Sequence, residues 1–149
     1  MLKLLIAVDG SELSLDAVRH ALSLVQAGLR ATLLLANVQE SATLYEIVVA
    51  HDPLVLQEVS LGAGSHQLGA AQDLVQAAGV EFESVVESGD PVNTLLDMAE
   101  RFAVDAIIVG AKGHGNLRGA LMGSVSQQLV NSSPFPVTVV KHAEAQTPA

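Results

Sequence analysis

The chain has 149 residues, half of them hydrophobic but only 3% aromatic, no cysteine, a formal net charge of −9 and a pI near 4.7. That length makes one domain, able to withdraw roughly 70% of its unfolded surface from water, and a core of Leu, Val, Ile and Ala suits layered α/β packing. The acidity argues against a nucleic-acid partner and against an anionic membrane surface, while the lack of cysteine excludes disulfides, thiol catalysis and zinc–thiolate sites.

Residues 4–8 are continuously apolar, as a strand buried on both faces should be. Asp9 interrupts the run, which is too short for a secretory core, and no run reaches the roughly 18 apolar residues that span a bilayer. The expected product is soluble and cytoplasmic, with no membrane insertion. Ser11 is placed to cap a helix whose apolar positions Leu15, Val18, Leu22, Val25 and Leu29 recur at helical spacing, with Gly28 at its end. A second buried strand covers residues 33–38. Residues 40–64 are apolar (Leu44, Tyr45, Ile47, Leu54, Val55, Val59) and interrupted by Pro53. Two readings are open for them: one or two short helices packed on the sheet, or a lid or partner surface hinged near Gly62 and Gly64. A second helix is predicted over 65–78, with Gly79 as its stop.

Residues 81–87 differ from the other strands. Phe82, Ser84 and Val86 alternate with Glu81, Glu83 and Glu87, the pattern of a partly exposed, charge-guarded edge. Asp90 caps a third helix with Pro91 in its first turn. Residues 106–109 form the fourth strand, a last helix starts at Ser124 and ends before Pro134, and residues 135–140 form the fifth strand. The domain spans 1–143, followed by a short tail, 144–149. Strands alternating with helices imply a five-stranded parallel sheet with helices on both faces, a single-domain Rossmann-like sandwich. With the acidic third strand at one edge, the simplest order is 3-2-1-4-5. The order then reverses between strands 1 and 4, where open α/β sheets bind ligands beyond the strand C-termini.

Those termini carry Asp9-Gly10-Ser11 and Gly110-Ala111-Lys112-Gly113, the latter followed nine residues on by Gly123-Ser124. Strand, glycine loop and helix N-terminus in this succession favour phosphate, because unpaired amides and the helix dipole point at one place. The charge map agrees. Residues 106–143 hold no Asp or Glu and carry Lys112, Arg118 and Lys141, whereas residues 1–105 have four basic against fifteen acidic groups. As turn and packing glycines, 110, 113 and 123 would need no ligand; their place at the switch, in the acid-free stretch, favours an anion site.

No Walker A sequence is present, and Gly113-His114-Gly115 has the wrong onward spacing for a dinucleotide fingerprint. His20, His51, His66, His114 and His142 show no helical ligand spacing, so no metal site is read. His114 lies within the glycine loop, where a phosphate or ribose contact and a purely structural role are both open. Asp9 either caps the first helix or accepts from a ribose hydroxyl or adenine amine, the second being favoured. Ser124 and Ser126 sit in a first turn, where amides and hydroxyls would face a phosphate.

The segment Ile6-Ala7-Val8-Asp9-Gly10-Ser11-Glu12 resembles the opening strand and turn of the universal stress protein family. Residues 109–115 together with Leu121-Met122-Gly123-Ser124-Val125-Ser126 are similar to that family's ATP-binding G-x2-G-x9-G-[ST] motif, and Pro134-Phe135-Pro136-Val137-Thr138-Val139-Val140 resembles its closing strand. Ala7 stands where the family often has proline, and Ala111-Lys112 replaces the commoner small-residue/histidine pair. The resemblance implies an adenine nucleotide alpha-hydrolase-like fold binding ATP, or AMP or ADP, with Mg2+ as a companion ion. It puts adenine near Val38 and Asp9, with Ala7, Val8 and Val109 lining base or sugar, and the phosphates on Gly110, Gly113, Gly123, Ser124, Val125 and Ser126. No acid pair or triad converges there, so no catalytic residue is assigned and hydrolysis is expected to be slow or absent. The implied role is a nucleotide-dependent stress-response module, with a regulatory partner that the sequence does not name. An enzyme using the fold for adenylyl or phosphoryl chemistry and a nucleotide-free interaction module are the alternatives. The uncharged apolar edge Val137-Thr138-Val139-Val140 points to a homodimer through the fifth strand.

Overall fold

The computed structural model describes residues 1–40, 53–111 and 123–142. Its centre is the set of apolar runs: β1 (Leu2–Ala7), β2 (Ala31–Gln39), β3 (Phe82–Ser88), β4 (Ala106–Gly110) and β5 (Val137–Val140). They form one sheet in the order β3-β2-β1-β4-β5 with every pairing parallel, as the charge of β3 and right-handed crossovers led us to expect. Leu4 lies between Leu33 of β2 and Ala106 of β4, and Ile107 lies opposite Val137. Alternate strand residues point to opposite faces, so the sheet has two cores. Leu4, Ile6, Leu33, Leu35 and Ile108 meet α1 (Glu12–Gln26) and α2 (Pro53–Ala78) on one face; Leu5, Leu34 and Ile107 meet α3 (Pro91–Arg101) and α4 (Ser124–Ser132) on the other.

The helix ends follow their local chemistry. Ser11 caps α1 by accepting from the Ser14 amide at 3.2 Å, and Asp90 caps α3 by accepting from the Asn93 amide at 2.9 Å, with Pro91 in the first position. Gly28 (φ +116°) and Gly79 (φ +70°) take the left-handed conformation just past α1 and α2. Beyond α3 that conformation falls on Ala103 (φ +52°), a residue with a Cβ to accommodate. Replacing Ala103 with glycine should therefore stabilise the fold; relief of a left-handed strain of about 1–2 kcal/mol outweighs the added unfolded-state entropy of about 0.4–1 kcal/mol. Chemical denaturation should show a higher midpoint with an unchanged slope.

Two expectations need correction. The second helix does not begin at 65. It runs unbroken from Pro53 to Ala78, with Pro53 as its first residue and Gly62 and Gly64 inside it, so the helix continues through the glycines at which the lid reading placed a hinge. Gly64 has a packing role instead: it is buried, and a Cβ would overlap Val86 Cγ1 and stand 2.8 Å from Asn37 Oδ1. Its missing side chain lets α2 lie close on β2 and β3. The rest of the 40–64 reading, residues 41–52, lies outside the described residues. Strand β5 starts two residues later than expected, because Ser133 Oγ holds Phe135 through both its N–H and its carbonyl, and Pro136 has no N–H to pair.

The β3 edge is guarded as its sequence indicated. Glu83 pairs with Lys3 at 3.4 Å and Glu87 with Arg101, which also binds Asp97. Among the described residues no helix is long and apolar enough to cross a membrane.

Candidate functional site

The switch in strand order falls between β1 and β4, with α1 leaving on one face of the sheet and α4 on the other. On the β1 side, the ladder to β2 ends as the Val8 amide donates to the Ala36 carbonyl at 2.8 Å. The chain then turns at Gly10 (φ +86°), a conformation that favours glycine. Asp9 is half-buried there. Its Oδ1 accepts from the Ser11 amide (2.9 Å) and the Ser11 hydroxyl (2.5 Å), while its own amide donates to Ser14 Oγ at 3.3 Å. Asp9 thus braces the cap of α1.

On the β4 side, Gly110 has no positive φ. A Cβ on it would lie 2.7 Å from the Leu13 carbonyl oxygen, so the first turn of α1 packing onto β4 requires glycine. The reason for Gly110 is therefore the closeness of α1 to the strand end rather than backbone conformation. Beyond it, the Ala111 amide donates to Val140 O (2.8 Å), and the Ala111 carbonyl accepts from the Gly123 amide (2.5 Å) and Ser126 Oγ (2.8 Å). These bonds fasten the start of α4 to the C-terminal end of β4. Gly123 is the N-cap residue, extended at φ −76° and ψ 173°, and among the described residues no side chain caps the helix. The first-turn amides of Ser124, Val125 and Ser126 accordingly stand at the crevice without a side-chain cap from the described residues. Ser126 itself is 2% exposed, and its hydroxyl donates to Ala111 O and Gly123 O. The expectation that this hydroxyl faces a phosphate gives way: it closes the loop, and only the amide is on offer. Gly113 and His114, with Lys112 and Arg118, lie outside the described residues.

Of the other expected residues, Ala7 and Val38 pack partly buried against the α3/α4 core, and Val8 and Val109 are buried at the ends of β1 and β4. The pairing pattern says where the Val38 backbone faces. Even-numbered residues of β2 direct their peptide groups at β1 (Ala36 O accepts from Val8) and odd-numbered ones at β3 (Leu33 N donates to Glu81 O, Gln39 O accepts from Gly89). The N–H and C=O of Val38 therefore point past the end of β1, toward the switch.

One group was missed. Asn37 is fully buried, and its Nδ2 donates to Val8 O and to Gln67 Oε1, both at 2.8 Å; Gln39 Nε2 donates to Asn37 Oδ1 (2.8 Å) and Gln67 Oε1 (3.0 Å). The available signal was Asn37 itself, the one polar residue in the apolar run 33–38, since a buried polar side chain demands partners.

The family model described as the universal stress protein family matches residues 1–141. The chain belongs to the universal stress protein family. Among its relatives, universal stress protein MJ0531 of Methanocaldococcus jannaschii is 27% identical over 93% of this chain and 81% of its own length. Universal stress protein YxiE of Bacillus subtilis is 28% identical over 93% and 98% respectively. The solved structure of M. jannaschii MJ0577 superimposes on this universal stress protein with a TM-score of 0.78, 25% identity and coverage of 95% and 96% of the two chains. A universal stress protein solved in complex with cAMP gives a TM-score of 0.65, 27% identity and coverage of 94% and 96%.

Proposed function

We propose that the protein is an adenine-nucleotide-binding universal stress protein that takes ATP, AMP or ADP at the β1/β4 switch and uses occupancy as a regulatory signal, with slow or no hydrolysis. The observation that carries this reading is the pairing of two unlike ends in one crevice. On the β2 side, the Val38 N–H and C=O are a donor and an acceptor one peptide apart, complementary to the N1 and N6 edge of adenine. On the β4 side, α4 presents uncapped amides to an anion. Ala7, Val8, Asp9 and Val109 lie between them, and Gly110, Gly113 and His114 would complete the phosphate side. Relatives support the ligand class: one was solved in complex with cAMP, and a universal stress protein of Arabidopsis thaliana with AMP bound shares the fold at a TM-score of 0.68.

The energetics are adequate without charged side chains. Micromolar affinity needs about 8 kcal/mol. Hydrogen bonds from backbone amides to a charged phosphate contribute roughly 1.5–3 kcal/mol each, and the helix dipole and base burial add to them. Among the described residues no three His, Asp or Glu side chains converge on a metal position. A Mg2+ arriving with ATP would be carried by phosphate oxygens and water, as that ion prefers. Turnover needs a group that positions or deprotonates water, and Asp9 already braces a helix cap, which favours a binding protein over an adenylyl- or phosphoryl-transfer enzyme.

Heat-denaturing freshly purified protein and identifying the released nucleotide tests the reading directly; equilibrium dialysis with labelled ATP, showing no binding at millimolar ligand, would overturn it. Asp9→Ala should lower stability by about 1 kcal/mol through the lost turn and cap-bracing bonds. It should also weaken adenosine binding more than tripolyphosphate binding. Equal, small losses for both ligands would leave Asp9 as a cap only.

A further inference from the structure

The amide cluster under α2 has a fixed polarity. A backbone carbonyl can only accept, so the Asn37 atom 2.8 Å from Val8 O must be the nitrogen. That choice turns Asn37 Oδ1 toward Gln39, whose Nε2 donates to it, and sends the second Asn37 hydrogen to Gln67 Oε1, which Gln39 also serves. One peptide oxygen thus orients three side chains, and Gln67 Oε1 is held inward by two donors. Gln67 Nε2 is left with two N–H groups and no partner among the described residues. Buried side-chain nitrogen and oxygen atoms there all have partners, so Nε2 is not sealed from solvent. Its position is set as well: Gln67 Cγ stands 3.1 Å from where a Cβ of Gly10 would be. The Gln67 stem therefore packs over the turn that leaves β1, and its amide is joined to the Val8 carbonyl through Asn37.

We infer that Gln67 is a specificity-determining residue of the nucleotide site, its Nε2 donating to a neutral acceptor on the nucleoside, either a purine ring nitrogen or a ribose oxygen. The inference rests on the nucleotide-binding reading above and adds a residue to it. Gln67 lies on the β2 side of the switch with Val38, whereas the uncapped amides of α4 lie at the β4 end, so the amide meets the nucleoside and not the phosphates. A side chain free to rotate would offer donor or acceptor alike. This one, gripped by Asn37 and Gln39, offers only hydrogen, and a ligand carrying its own N–H at that point meets a repulsive contact.

Two variants test it. Gln67→Glu keeps an oxygen for Asn37 and Gln39 but removes the outward donor, and Gln67→Met removes it without adding charge. Gln72→Glu is the charge control, since Gln72 is on the same helix and bonds Ser84 on the exposed side. For both Gln67 variants calorimetry should show ATP affinity reduced about five- to tenfold, the effect of one neutral hydrogen bond. Tripolyphosphate binding should be unchanged, and Gln72→Glu should bind ATP as the unmutated protein does. In the unmutated protein, one analogue among 3-deaza-, 7-deaza-, 2′-deoxy- and 3′-deoxy-ATP should show the same reduction and lose nothing further in Gln67→Met; a deaza analogue would identify a ring nitrogen, a deoxy analogue the ribose. Should Gln67→Met unfold, Gln67→Glu with the same analogues carries the test. Unchanged ATP affinity in a folded variant, equal loss of tripolyphosphate, or additive losses with every analogue overturns the inference. Failure of the unmutated protein to bind ATP brings down the nucleotide reading first, and this inference with it.

Discussion

Gly123→Val should abolish ATP binding while leaving the fold in place. The N-cap position is extended, at φ −76° and ψ 173°, so a β-branched residue meets no forbidden backbone there. The bonds that fasten α4 survive too, because the Gly123 amide still donates to Ala111 O and its carbonyl still receives Ser126 Oγ. Valine is a poorer cap than glycine, and a cost near 1 kcal/mol should lower the melting temperature by a few degrees. The branched side chain at the mouth of the α4 amides would occupy the phosphate space. Excluding the phosphates from those amides should cost at least ~3 kcal/mol, a hundredfold or more in Kd. Calorimetry with ATP and with adenosine separates the effects: ATP affinity should collapse, whereas adenosine, which needs only the β1–β2 side, should bind nearly as before. Unchanged ATP affinity in a cooperatively folded variant would remove the phosphates from α4.

How much of this was legible depended on the range of the interaction. Local chemistry read directly: Ser11 and Asp90 as caps, Gly28 and Gly79 as helix ends, and the acidic alternation of β3 as an edge all act within a few residues of where they are written. The strand order then followed from one charged edge and the handedness of crossovers. Features made by distant segments did not read. Gly62 and Gly64 looked like a hinge because glycine disfavours helix, yet Gly64 is buried where α2 crosses Asn37 and Val86, and that tertiary contact outweighs the local preference. For Gly110 a packing role was one of the open readings, but its partner, Leu13, lies almost a hundred positions earlier and could not be named from the sequence. The Asn37–Gln39–Gln67 cluster joins a strand to a helix about thirty residues on, and hydrogen-bond complementarity has no sequence period to reveal it.

The candidate site divides in the same way. Asp9, Gly10 and Gly123-Ser124 were visible because a turn and a helix start have local signatures. The direction of the Val38 peptide group was not, since it depends on the parity of pairing between β1 and β2, which shifts by a residue without changing composition. Ser126 illustrates the converse. Its place in the first turn was correct, but its hydroxyl is directed by the Ala111 carbonyl, a partner that only the folded loop supplies.

Val139→Pro should dissolve a dimer while sparing the protomer. Strand β5 is a sheet edge, and its sequence Val137-Thr138-Val139-Val140 carries no charge to repel a second strand. Pairing with β4 uses the even positions: Ile107 N donates to Pro136 O, and Ala111 N donates to Val140 O. By the same alternation the N–H and C=O of Val137 and Val139 point away from β4, toward whatever lies beyond the edge. We propose that a second copy lies there, running antiparallel about a two-fold axis, so that the peptide groups of Val137 and Val139 of each protomer exchange N–H···O=C hydrogen bonds with their counterparts. Proline at 139 deletes an outward donor and places its ring where the partner strand would approach, but takes nothing from the β4 ladder. Thr138→Pro is the contrasting variant, because its N–H faces β4 and its loss should destabilise the protomer itself, by about 3 kcal/mol or more if the ladder is treated like a helix interior. Sedimentation of the unmutated protein at roughly tens of micromolar, the range of a ~7 kcal/mol association, should show a dimer, and Val139→Pro a folded monomer with a nearly unchanged melting temperature. A monomeric unmutated protein at that concentration, or a Val139→Pro variant that remains fully dimeric, would mean that β5 is not the interface.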